Sequence, residues 1–192
     1  MRKGIIVILM AIMGAVAFSF LQEKPEGWAT VDHVNFYLKD ETTNSTFSGT
    51  VFAQVKGDEK RAILVGWVNI TEKDFGGAAV FVPPGWKVLE AFTSYSAPIS
   101  ADPSNWIAVL GRDGGREGYS IWIGPAGYDL VECGHNICGG GAGGVFIELR
   151  PTEDGTNLTL NLAVGSRVIS TSQGSVKAIF STSSNVTVSF KK

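Results

Sequence analysis

The sequence predicts an all-β domain, an antiparallel two-sheet β-sandwich with a barrel as the runner-up, preceded by an N-terminal apolar helix. Three observations predict it. Glycine is abundant, at 24 of 192 residues, while only 18% of residues are charged, which suits a turn-rich β protein better than a helical one. Short apolar runs with a period of two alternate with clusters of Gly, Pro, Asp and Asn. After the first 21 residues no segment sustains a helical period.

The N-terminal element reads as a targeting segment. Arg2 and Lys3 precede an uncharged run from Gly4 to Leu21, and charge returns at Glu23, Lys24 and Glu26 around Pro25. This is the layout of a secretory signal. The small-x-small triplet Ala15-Val16-Ala17 places cleavage after Ala17. The run of about eighteen uncharged residues also borders on the length that spans a bilayer, so a retained membrane anchor is the alternative. Residues 1–21 are therefore assigned to a signal peptide or anchor, and residues 22–192 to a single domain, which is long enough to bury its own core. Arg2-Lys3-Gly4 and the apolar run after it resemble the leader of type IV pilins, which is cut after the glycine; Leu9 stands where those pilins carry an acidic residue.

The strands follow from pattern. Val34–Leu38 is the expected first strand. In Thr50–Val55, Val51, Ala53 and Val55 share a face. Arg61–Ile70 and Ala78–Val82 are more continuously apolar, as central strands are, and Pro83-Pro84-Gly85 then forces a turn. Lys87–Tyr95, Trp106–Leu110, Tyr119–Ile123 and Val145–Leu149 come next. Leu158–Val164 is the clearest alternation, with Asp154-Gly155 as its turn, and Val176–Phe180 and Val186–Phe190 close the set.

Candidate chemistry is sparse. Glu132-Cys133-Gly134-His135-Asn136-Ile137-Cys138 runs into six small residues, Gly139 to Gly144. In an oxidising compartment Cys133 and Cys138 are expected to form a disulfide that shapes this loop. The alternative is a metal held by Cys133, His135 and Cys138, all competent zinc ligands together with Glu132. Gly139, Gly141 and Gly144 formally spell a dinucleotide fingerprint. A strand, Val145-Phe146-Ile147, follows them where that motif opens a helix, which rejects the nucleotide reading. No nucleophile elbow is present, and the two histidines, His33 and His135, sit in no recognisable triad spacing. Aspartates at Asp58, Asp74, Asp102, Asp113 and Asp154 fall in turns, where solvated carboxylates belong. No catalytic residues are assigned, and no cofactor is implied.

Five tryptophans carry the remaining signal. Trp67 and Trp122 lie within apolar strands and read as core. Trp86 and Trp106 follow loops, and are either caps on the sandwich core or loop aromatics that stack on sugar rings or anchor a partner. They are the candidate ligand-binding residues. Asn44, Asn69, Asn157 and Asn185 head Asn-x-Ser/Thr triplets, glycan acceptors where the host has the machinery.

The stretch Asp74 to Ala91, with Phe75-Gly76-Gly77, Pro83-Pro84-Gly85-Trp86 and the strands around them, resembles the early strands of cohesin-type surface modules. Gly144-Val145-Phe146-Ile147-Glu148-Leu149 resembles their later strand. The resemblance implies a β-sandwich that binds partner proteins or sits in surface assemblies, and it carries over no binding residue. The net charge of −2 argues against a general nucleic-acid binder. Together these features point to an exported or cell-surface, non-catalytic protein acting by binding or structural assembly. The expected partners are a surface protein, a polysaccharide or a second copy, with membrane contact through an uncleaved leader. The alternatives are a carbohydrate-binding module using Trp86 and Trp106, and a secreted hydrolase with Asp/Glu or metal chemistry.

Overall fold

The computed structural model describes residues 27–71, 76–97, 106–124, 140–153, 157–171 and 174–191. Ten strands follow one another: β1 (Ala29–Lys39), β2 (Thr46–Lys56), β3 (Glu59–Ile70), β4 (Ala78–Val82), β5 (Trp86–Thr93), β6 (Ile107–Gly111), β7 (Tyr119–Ile123), β8 (Gly141–Pro151), β9 (Asn157–Thr171) and β10 (Gly174–Ser189). They form two antiparallel five-stranded sheets, in the orders β1-β2-β3-β8-β5 and β10-β9-β4-β7-β6. The sandwich is thus as expected, and among the described residues no closed barrel forms. The leader, its cleavage site after Ala17 and the Cys133–Cys138 loop lie outside the described residues.

The period of two explains how the layers meet. Phe47, Val51, Ala53 and Val55 on β2 turn inward, as do Ala62, Leu64, Val68 and Ile70 on β3 and Val145, Ile147 and Leu149 on β8. Leu158, Leu160, Leu162 and Val164 of β9 and Val186 and Val188 of β10 face them from the second sheet. Burial of these residues in one shared core is the main favourable term in such a fold. β3 and β4, the continuously apolar runs, are the central strands of their sheets, as expected.

Two expectations about the strands change. The first strand begins at Ala29 rather than Val34, because a register break between Thr30 and Asp32 lets the polar N-terminal half stay paired with β2. Val176–Phe180 and Val186–Phe190 belong to one strand, not two. β10 pairs with β9 along its length and only shifts register between Ile179 and Thr182. The polar stretch between them looks like a loop in sequence, but paired main-chain groups hold it in the ladder.

The two sheets are tied together at the β1–β10 side, where the Ser189 N–H donates to Asp32 Oδ2 at 2.8 Å. The β1–β2 turn is organised by Asp40, which is only 2% exposed. Its carboxylate accepts from the Thr43 hydroxyl at 2.6 Å and from the Thr42 N–H at 3.1 Å. Burial pushes the Asp40 carboxyl up, but these bonds, with those from Ser181 and the Thr43 N–H, outweigh it and hold the carboxyl below its ordinary 3.8. A carboxyl whose folded value is lowered contributes stability that is present above its unfolded value and lost as pH falls through the folded one. Asp40→Ala is expected to cost about 2 kcal/mol at neutral pH and to flatten the acid limb of the stability curve. Urea melts of both proteins between neutral and strongly acid pH check this; a wild-type acid limb retained in the variant would contradict it.

Candidate binding face on the first sheet

One face of the first sheet packs on the core, so the other is open, and its residues are set by register. Successive strands place Tyr37, Ser48, Trp67 and Gly144 in one row, and Asn35, Thr50, Val65, Phe146 and Phe92 in the next. Ser94 extends the first row: its N–H donates to the Gly144 carbonyl at 2.9 Å, and its hydroxyl accepts from the Gly144 N–H at 2.9 Å. Neither row contains a charge. Tyr37 is 67% exposed, Trp67 53%, Phe92 52% and Val65 46%, all large apolar side chains turned to solvent. A soluble monomer rarely groups such residues without a use for them.

The face has relief. Phe92 and Phe146, directly opposite each other on β5 and β8, stack with centroids 4.9 Å apart and an interplanar angle of 17°. Beside them a shallow hollow of about 290 Å³ is lined by Val65, Gly66, Phe92, Ser94, Gly144, Val145 and Phe146. It exists because Gly144, in the row between Trp67 and Ser94, has no side chain to fill it. Neutral hydrogen-bonding groups stand among the rings, as in the pair formed by the Thr50 hydroxyl donating to Asn35 Oδ1 at 2.7 Å.

Charge stands beyond the two rows at either end. On one side Lys39, two residues past Tyr37 on β1, lies 3.4 Å from Glu41; the larger cluster is on the other. His33, Phe52, Ile63, Glu148 and Glu90 make the third row, with the His33 and Phe52 rings stacked at 6.3 Å. Past them Arg61 and Arg150 bracket Glu148, each 3.6 Å from it, and Arg150 also reaches Glu59 at 3.9 Å. Arg61 lies 4.2 Å above the Trp28 ring, a contact that shields the ring and holds the guanidinium. These ions are matched to one another, and the aromatic rows beside them are left neutral.

The residues singled out in the sequence are elsewhere. Trp86, at the inner face of β5, is 5% exposed, with its ring 5.5 Å from Phe190. Trp106 is 1% exposed and meets Tyr95 edge-on at 5.8 Å. Both cap the core, so neither offers a face to a ligand; the loop-aromatic expectation is corrected. Trp67, expected in the core, is on the surface, and Trp122 is half-buried. Cys133, His135 and Cys138 lie outside the described residues, as does Glu132. Among the described residues no group of three or more His, Cys, Asp and Glu side chains could hold a metal ion.

A signal for the exposed aromatic face was present. In a two-sheet sandwich each sheet can bury only one face, so a continuously apolar run must put half its apolar residues outside. Arg61–Ile70 is such a run, and Val65 and Trp67 are its outer members.

No family model matches the chain, and no curated protein matches it. A solved structure described as a pore forming protein is similar at 11% sequence identity, over 81% of this chain and 89% of that one, with a TM-score of 0.36.

Proposed function

We propose that the chain is an exported, non-catalytic surface protein that acts by binding, and that its ligand is a neutral glycan lying across the outer face of the first sheet. The single observation that carries this is the pair of uncharged rows in which Tyr37, Trp67 and Phe92 stand exposed among Ser48, Thr50, Asn35 and Ser94. A sugar ring has an apolar face and a rim of hydroxyls. Aromatic rings meet the first, and neutral hydroxyls and amides meet the second without the desolvation cost of an ion. The leader pattern in residues 1–21 supports export.

The test is a titration of oligosaccharides against intrinsic tryptophan fluorescence. Among the described tryptophans Trp67 is the most exposed, so binding is expected to change emission in the wild type and to leave Trp67→Phe nearly silent. Trp67→Ala is expected to weaken binding about tenfold or more, as removal of a central aromatic contact does, with an unchanged melting temperature. A second reading, a protein partner, is favoured by the aliphatic hollow beside Phe92 and Phe146. It predicts no response to any sugar and a response to a protein fraction from the cell surface.

A further inference from the structure

Four strands end the two sheets: β1 and β5 in the first, β10 and β6 in the second. An edge strand presents a row of unpaired N–H and C=O groups, which proteins guard with charges, prolines or bulges. Three of these edges are guarded. β1 carries Asp32, His33 and Lys39 and a register break after Thr30. β5 carries Lys87 and Glu90 and a break after Val88. β10 carries a break after Ile179. β6 has no such device. It reads Ile107-Ala108-Val109-Leu110-Gly111, without charge, proline or break, and every residue after Ile107 is exposed.

The ladder shows which of its main-chain groups are open. At one end the Gly124 N–H donates to the Trp106 carbonyl at 2.9 Å, and at the other the Arg112 N–H donates to the Gly118 carbonyl at 2.9 Å. The register between them is unbroken. Bonded and non-bonded positions alternate in an antiparallel pair, so Ala108 and Leu110 turn their groups toward β7. Ile107, Val109 and Gly111 turn theirs away, toward an edge on which no described strand lies.

We propose that β6 pairs antiparallel with the β6 of a second copy, about a two-fold axis passing beside Val109. That register pairs all five residues, and it sets each outward residue against an outward one, as an isologous contact requires. It also sets large against small: Ile107 opposite Gly111, Leu110 opposite Ala108, and Val109 opposite itself. The seam is short against the area of a standard interface, so the dimer is weak and concentration-dependent. The two-fold axis between antiparallel strands stands perpendicular to the sheet. Both copies then carry their first sheets on the same side of the joined second sheets, where two weak binding faces gain by acting together.

Sedimentation of the purified chain over a range of concentrations tests the pairing. The wild type is expected to shift from monomer toward dimer. Val109 is 42% exposed, so the fold accepts Val109→Lys. That variant opposes two like charges across the axis and is expected to raise the dissociation constant about tenfold or more. Val109→Cys places two Cα atoms about 5.5 Å apart, within disulfide reach. It is expected to give a covalent dimer on mild oxidation, located by mass spectrometry of unreduced peptides so that Cys133 and Cys138 are not confused with it. Ala108→Cys, whose opposite residue is Leu110, is expected to cross-link little. A wild type that is monomeric at every concentration would overturn the proposal. So would a Val109→Lys variant that dimerises like the wild type, or equal cross-linking by the two cysteine variants.

Discussion

Trp106→Ala is expected to destabilise the fold by about 3–5 kcal/mol, the usual cost of deleting a buried indole. The ring is 1% exposed and meets Tyr95 at 67° with centroids 5.8 Å apart, an edge-to-face contact that adds to its buried area. Tyr95 is itself fully buried and donates its hydroxyl to the Gly140 carbonyl at 2.6 Å. Removing the indole therefore opens a void beside a tyrosine that positions the start of β8. Denaturant unfolding measures the loss directly. A variant with wild-type stability would place Trp106 outside the core. Because Trp106 is remote from the aromatic rows in register, glycan binding by the folded fraction is expected to survive.

Gly143→Ala carries the second large effect, of about 3 kcal/mol, the upper end of what overpacking usually costs. A Cβ at residue 143 would stand 2.2 Å from both the Tyr95 nitrogen and its Cα. Those atoms are backbone and cannot rotate away. The chain after β5 runs over β8 here, with Ser96 bridged to Ala142. At residue 141 the conflict is doubled, because φ is +125° and a Cβ would also meet the Tyr95 hydroxyl at 2.6 Å. Gly144→Ala is the control. Its Cβ would find nothing nearer than the Ser94 hydroxyl oxygen at 3.4 Å, so it is expected to fold normally while filling part of the hollow. Equal stability of the Gly143 and Gly144 variants would contradict this packing.

These glycines show how far the sequence could be read. The run before Val145 shows in sequence only as a stretch without side chains; Gly141 and Gly143 use that for close backbone approach to Tyr95. The sandwich was legible because a period of two with one apolar face leaves few other ways to bury it. The strand limits were less legible at β10, where Thr182 to Asn185 carry no apolar alternation and pairing with β9 keeps them extended. The exposed aromatic face was not legible, because the sequence shows which residues are apolar but not which face the partner sheet covers. Trp67 in an apolar strand looked interior and is exposed, while Trp86 and Trp106 beside loops were open to two readings, of which packing selects the core caps. Rows such as Tyr37-Ser48-Trp67 join residues from three strands, and only the register brings them together.

The central claim is that the outer face of the first sheet binds a neutral glycan. Its most direct measurement is co-sedimentation of the purified chain with envelope isolated from the cells that make it, before and after exhaustive protease treatment of that envelope. The account predicts that the wild type sediments with both preparations. It predicts that Trp67→Ala and Tyr37→Ala stay largely in solution at unchanged melting temperature, since both rings are more than half exposed. Loss of wild-type binding on protease treatment, or full binding by both variants, would contradict it.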